Sequence, residues 1–199
     1  MGTELARHLL DHHELTVWNR TAERAQPLVD AGATRAESPT AAVEGAEVII
    51  TSLFGPDDIR EVIIDTNLVP AGVTWIDTTT VSPDVAREFA AAVDSYVHAP
   101  VVGSLGPARE GTLGVYVGTP DDDRRELAMT IAEPWADENK LIGVESAPTA
   151  ALGKLLANLA LAVTAEGLLE ALQLGESEGL DSEVILEMLD ITGLAFMKN

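Results

Sequence analysis

The sequence predicts an α/β chain, a mostly parallel sheet with helices on both faces, followed from about residue 147 by a purely helical segment. Three observations carry this. Short apolar runs such as Val48-Ile49-Ile50-Thr51 and Val73-Thr74-Trp75-Ile76-Asp77 read as strands and alternate with helix-length segments. Breakers or caps fall at the joins, among them Gly32, Pro56, Ser82-Pro83 and Pro120. After Ala147 the strand-like runs cease, and no breaker appears until about Glu178.

Taken in order, Gly2 to Leu10 is an amphipathic helix with Leu5, Leu9 and Leu10 on one side. Glu14 to Trp18 is a short strand, ending in the turn Asn19-Arg20-Thr21. Ala22 to Ala31 is a helix closed by Gly32. Val48–Thr51 is a buried strand, and the helix from Pro56 to Ile63 carries Asp57 and Asp58 in its first turn. The strand from Val73 to Asp77 runs into Thr78-Thr79-Thr80, and Ser82-Pro83 starts a helix to Val93. Tyr96 to Ala99 is extended, and residues 98–108 form a breaker-rich loop. Strands at 111–117 and 141–144 flank a helix at 120–131. The domain division is expected as 1–146 and 147–199.

Composition narrows the function classes. The 199 residues carry 33 acidic and 12 basic side chains, a net charge of −21, which repels nucleic acid and anionic membranes. The apolar share of 46% supports a core, and with aromatics at 4% that core is aliphatic. No cysteine is present, so disulfides and thiolate metal sites are excluded. His8, His12, His13 and His98 show no metal-ligand spacing, and no metal site is expected. No signal peptide and no apolar run long enough to span a bilayer is read, so the expectation is a cytoplasmic protein without nucleic-acid or membrane partners.

The helical run from Ala147 opens at Pro148, which suits a first helical turn, and Gly179-Leu180 suits a left-handed cap. Leu152, Leu155, Leu156, Leu159 and Val163 give one apolar face. Lys154 and Asn158 stand four apart, the only strongly polar side chains between Thr149 and Thr164. Such a lysine either snorkels to solvent or is held for chemistry.

In a parallel sheet the ligand lies beyond the carboxyl ends of the strands. Asn19-Arg20-Thr21, Thr78-Thr79-Thr80 and residues 100–104 all follow strands and are candidates for one cleft. In a dinucleotide-binding fold, the second strand ends at the adenosine ribose, where an acidic residue holds a free 2′-hydroxyl. Arg20 stands there instead, between an amide and a hydroxyl, and a guanidinium pairs with a 2′-phosphate. NADP(H) is therefore the expected cofactor. Gly103 and Gly106 let backbone approach an anion, or serve a simple crossover.

With these pieces in order, the chain resembles the β-hydroxyacid dehydrogenases, which include 3-hydroxyisobutyrate dehydrogenase, glyoxylate/succinic semialdehyde reductase and, more distantly, 6-phosphogluconate dehydrogenase. The resemblance rests on Val17-Trp18-Asn19-Arg20-Thr21, Ile76 to Pro83, Ala99-Pro100 through Gly111-Thr112-Leu113, Gly153-Lys154-Leu155-Leu156-Ala157-Asn158 and Glu170-Ala171. It implies a Rossmann-type domain, then an all-α domain entered by the long helix, with homodimerisation through helical domains in the full-length parent. It implies Lys154 as general acid/base, with Asn158 holding the substrate oxygen or orienting the lysine. Val101, Val102, Gly103 and Ser104 would bind a small carboxylate-bearing substrate. Gly2, Leu53, Thr79 and Thr80 would join Asn19, Arg20 and Thr21 at the cofactor.

The departures from the family pattern are expectations too. Of the family's G-x-G-x-x-G loop only Gly2 remains, so the Rossmann-type domain is expected to lack its first strand, leaving two neighbouring strand edges without a partner. The second helical half is expected to be missing, so the chain reads as truncated at both ends, binding cofactor weakly or not at all and turning over little. Val102 replaces a serine, and Ala157 the first of two asparagines. Two alternatives stand beside this reading. One is an imine reductase-like NADPH enzyme, against which Lys154 argues; the other is a non-catalytic fragment that associates through the small residues of its long helix.

Overall fold

The computed structural model describes residues 1–192, and the last seven residues of the expected helical domain lie outside that range. The chain divides into two compact units, Met1–Leu155 and Leu156 onward. The division falls inside the long helix, eight or nine residues after the expected boundary near residue 147.

In the first unit the chain runs α1 (Gly2–Leu9), β1 (Thr16–Val17), a 3-10 turn at Ala22–Arg24 leading into α2 (Gln26–Val29), β2 (Thr34–Arg35) and α3 (Pro39–Val43). There follow β3 (Val48–Thr51), α4 (Pro56–Ile59) with a π-type continuation at Arg60–Ile64, β4 (Thr74–Asp77), α5 (Pro83–Ala92) and β5 (Tyr96–His98). Then come β6 (Val101–Val102), α6 (Leu105–Glu110), β7 (Leu113–Gly118), α7 (Asp122–Ala132) and β8 (Ala136–Val144). The long helix α8 (Ala147–Ser177) begins in this unit and runs into the second, which also holds α9 (Ser182–Leu189).

Local chemistry explains most of the helix starts. Ser38, Ser82 and Asp121 each accept a backbone N–H from three residues on, the N-cap arrangement, and Pro39, Pro56 and Pro83 occupy first turns. Ser146 caps α8 in the same way, accepting from the Thr149 amide at 3.3 Å. Three expectations are corrected. The helix expected at 22–31 is split into a 3-10 turn and one short α segment, because Pro27 sits inside it and can donate no backbone hydrogen bond. The loop expected at 98–108 contains β6 and the start of α6. The last strand starts at Ala136 instead of Leu141, its polar stretch Glu138–Lys140 exposed on a sheet edge.

Two sheets form. β3, β4 and β5 pair in parallel, β7 runs antiparallel to both β5 and β6, and β8 joins β7 in parallel. β1 and β2 pair in parallel as a separate two-stranded sheet, and β3 is left as an edge of the larger one. This is the expected consequence of two strands without a shared neighbour.

Alternation along β4 and β5 sorts the core into two faces. Ile76 and Val97 turn to a cluster with Leu5 and Leu9 of α1, Ala128 and Ile131 of α7, and Trp135. Trp75 and Tyr96 turn the other way, onto Ile59, Ala86, Phe89 and the first turns of α8 at Ala147 and Ala151. Trp75, Phe89 and Tyr96 form a buried trio, with ring centroids 4.6 to 6.1 Å apart, worth about 0.5–1.5 kcal/mol per pair beyond area burial. Thus the aliphatic core expected from composition has an aromatic centre on one face.

The start of α8 is held close to β7 by a glycine. A Cβ on Gly118 would collide with the Ser146 carbonyl oxygen and lie 2.7 Å from the Ala150 Cβ. Since the obstacle is backbone, Gly118→Val is expected to cost about 2–3 kcal/mol, read as a lower urea midpoint with unchanged slope. An unchanged midpoint would show that α8 does not pack there.

In the second unit the face of α8 carries exposed apolar side chains, including Leu159 and Val163. The expectation that no apolar run is long enough to span a bilayer is corrected: α8 is long and apolar enough by length and composition, with a mean hydropathy of 1.6 over its best 18 residues. Buried helices of soluble domains share that composition.

Candidate functional site

The residues expected at the cofactor converge on the segment that leaves β3, residues 52–58. First, Gly2 at the start of α1 lies so close that a Cβ there would stand 3.0 Å from the Ser52 Cβ. Second, the Leu53 amide donates to the Thr79 hydroxyl at 3.0 Å, tying this segment to the one leaving β4. Third, the Arg20 guanidinium reaches Asp58 in the first turn of α4 at 3.2 Å. Arg20 sits on a turn shaped by its neighbour, since the Asn19 side-chain oxygen accepts the Thr21 amide at 2.9 Å. Its side chain is 70% exposed and open to a ligand. Thr80 is exposed as well, whereas Thr79 is buried and its hydroxyl is used inside the protein.

Beneath these segments lies a polar network that no local sequence pattern announces. Asp77, at the end of β4, is fully buried; its carboxyl accepts the Thr51 hydroxyl at 2.8 Å and the Thr79 amide at 3.0 Å. The Trp75 indole N–H donates to the Thr51 oxygen at 2.9 Å. The Tyr96 hydroxyl lies 3.3 Å from Asp77 Oδ2 and 3.1 Å from His98 Nδ1. Burial pushes the Asp77 carboxyl up to about 6, against the pull of the Thr79 and Thr51 hydrogen bonds. Burial likewise brings His98 down to about 3 and holds Tyr96 well above the usual tyrosine range. His98 is therefore neutral, and its 3.8 Å approach to Asp77 is not an ion pair. Its Nε2 has no hydrogen-bond partner among the described residues. The threonine segment is thus braced from below by a buried carboxyl that accepts the Thr79 amide.

The residues expected at the substrate form a second group. Val101 and Val102 lie on β6, opposite Val115 and Gly114 of β7, and Val101 is buried in the core, so its side chain does not face a ligand. Gly103, at φ +142°, turns the chain into exposed Ser104, and a Cβ there would stand 2.6 Å from Leu113. Tyr116 of β7 links this segment to α8: its amide donates to the Pro100 carbonyl at 3.3 Å, and its ring lies 3.0 Å from where a Gly153 Cβ would be. Gly153 thus serves packing inside the first unit. Lys154 follows it, half-buried, with no hydrogen bond or ion pair among the described residues, and desolvation lowers its pKa from the ordinary lysine value. Asn158 is exposed and belongs to the second unit.

A cavity of about 610 Å³ lies elsewhere, between α7 and β8, and is lined by Asp122, Arg125, Glu126 and Met129 among others. None of the expected site residues borders it. The close approaches, the exposed cation and the braced threonine segment are all at the strand ends, where the ligand of a parallel sheet binds. Among the described residues, no cluster of three His, Cys, Asp or Glu could hold a metal ion.

A family model described as the NAD binding domain of 6-phosphogluconate dehydrogenase matches residues 1–143. The chain belongs to this NAD-binding dehydrogenase family. Its relatives include 3-hydroxyisobutyrate dehydrogenases. The 3-hydroxyisobutyrate dehydrogenase of Pseudomonas aeruginosa is 31% identical over 95% of this chain and 65% of its own. The structure of the Mycobacterium tuberculosis 3-hydroxyisobutyrate dehydrogenase with L-serine superposes with a TM-score of 0.85 at 27% identity, over 95% of this chain and 66% of that one. An Aspergillus terreus imine reductase, solved with NADPH4 and dibenz[c,e]azepine, superposes with a TM-score of 0.83 at 25% identity, over 98% and 69%. The chain spans about three fifths to two thirds of the length of the curated relatives it matches. The Rossmann-type domain and the long helix that follows it are those of the family.

Proposed function

We propose that this chain provides the cofactor site and the proton-transfer lysine of an NADP(H)-dependent oxidoreductase acting on a small β-hydroxy acid or aldehyde acid. The observation that carries the reading is Lys154, half-buried and without a compensating charge among the described residues. A lysine kept that way has a lowered pKa and trades protons closer to neutrality than a solvated one. Lys154 donates a proton to the carbonyl oxygen during reduction and accepts it from the hydroxyl in reverse. The exposed backbone and hydroxyl of Gly103-Ser104 receive the substrate carboxylate, with Val102 giving one donor fewer than the family's usual serine. NADP(H) supplies or takes up the hydride when bound.

The residues at the strand ends fit the dinucleotide. Gly2 lets the Ser52 segment approach the start of α1, Leu53 and Thr80 rim the nicotinamide side, and Asn19-Arg20-Thr21 present a cation where an acidic residue would select NAD(H). Arg20→Ala is expected to weaken NADPH binding about 10- to 100-fold while leaving NADH within about two-fold, since one charge-assisted phosphate contact is lost. Calorimetric titration of both cofactors checks this, and equal losses for the two would remove the 2′-phosphate assignment.

A second reading, reduction of an imine, is favoured by the likeness to the Aspergillus terreus imine reductase. Turnover of NADPH with succinic semialdehyde and with a cyclic imine separates them. The first reading requires activity on the aldehyde acid that Lys154 controls, and activity confined to the imine would replace it with the second.

A further inference from the structure

Asp58 is the acidic group paired with Arg20, in the strand-end group proposed to hold the dinucleotide. Two aspartates open α4, but they face different arginines: Asp57 pairs with Arg60 at 2.8 Å, and Asp58 with Arg20 at 3.2 Å. The Asp58 side chain is only 23% exposed, whereas Arg20 is 70% exposed, so the carboxylate is the fixed partner and the guanidinium the movable one. Among the described residues Arg20 pairs with Asp58 through a single terminal nitrogen, which leaves most of its five N–H donors for a phosphate. A doubly charged 2′-phosphate gripped by the same guanidinium would lie within a few ångströms of the Asp58 carboxylate, at a mostly aqueous site.

We infer that Asp58 is a specificity-determining residue: it holds Arg20 in the free protein and lowers the preference for NADP(H) over NAD(H). The inference rests on the assignment of Arg20 to the 2′-phosphate. The phosphate must displace the carboxylate from Arg20 or bind beside it, and both reduce the affinity gained. NADH, without that phosphate, meets neither cost.

The test is a double-mutant cycle on the 199-residue chain, with NADPH and NADH each titrated by calorimetry into the wild type, Asp58→Asn, Arg20→Ala and the double variant. Asn is near-isosteric with Asp, so the fold of α4 is retained, and thermal unfolding of each variant checks it. Asp58→Asn is expected to tighten NADPH about three- to ten-fold and to leave NADH within two-fold. In the Arg20→Ala background its gain is expected to fall below half of that, on a logarithmic scale, because no cation remains to be released. An equal gain for both cofactors, or none for NADPH while Arg20→Ala still weakens it selectively, overturns the role of Asp58 alone. An Arg20→Ala variant with unchanged NADPH binding, or a wild-type chain that binds neither dinucleotide, overturns the assignment of Arg20 and the inference with it.

Discussion

Lys154→Met is expected to lower NADPH oxidation with an aldehyde acid by about 10²- to 10⁴-fold, the range for loss of a positioned general acid. Methionine keeps the length and apolar stem of lysine, so the packing of α8 against Tyr116 through Gly153 is retained. NADPH affinity should be unchanged, because among the described residues Lys154 makes no hydrogen bond or ion pair with Arg20, Leu53 or Thr79. Single-turnover measurement at high protein concentration reads the chemical step even if steady-state turnover is slow. Arginine at the same position keeps the charge but holds its proton too tightly to give it up, so Lys154→Arg should fail as well. A Met variant that reduces the substrate at the wild-type rate would show a lysine that only snorkels to solvent.

The second large effect is a pH dependence of stability hidden in the wild type. Asp77, at about 6 in the folded chain, lies above the ordinary carboxylate value near 4. Its contribution to stability is complete below about pH 4 and is lost as the pH rises through about 6. His98, at about 3, lies below the ordinary imidazole value of about 6.5, so its contribution is complete above about 6.5 and is lost as the pH falls toward 3. Between about pH 4 and 6 the two slopes have opposite signs and cancel. Asp77→Asn keeps an acceptor for Thr51 and Thr79 but no longer titrates, leaving the His98 slope unopposed. Relative to wild type, its stability is expected to fall on acidification through this window by on the order of 1 kcal/mol per pH unit. His98→Gln should show the reverse, losing stability as the pH rises from 4 to 6. Urea denaturation at intervals from pH 4 to 7 measures all three proteins. Parallel profiles would mean that the two groups do not titrate as a buried pair.

What the sequence made legible was what local chemistry dictates. Pro148 and Gly179 mark an uninterrupted helix, and α8 runs from Ala147 to Ser177, with Gly179 at φ +84° just beyond it. Strands β3 and β4 are apolar enough to be read directly, and the turn that presents Arg20 carries its own Asx hydrogen bond. The network under Thr79 was not legible, because Thr51, Asp77, Tyr96 and His98 come from three strands whose register no local pattern gives. A polar residue ending each of three successive strands (Thr51, Asp77, His98) was the available signal. β2 escaped notice because both its residues are exposed and nothing alternates, and β6 because two residues inside a breaker-rich loop carry no period. The Arg20–Asp58 pairing was out of reach for the same reason: 38 positions separate its members, and only the stacking of strand ends brings them together.

The strand-end group is expected to accept a dinucleotide with a 2′-phosphate. Titrating NADPH and NADH into the purified 199-residue chain, followed by calorimetry or nicotinamide fluorescence, tests this most directly. The expected result is weak, saturable binding in which NADPH is tighter than NADH. Tighter binding of NADH, or a folded chain that binds neither, would contradict it.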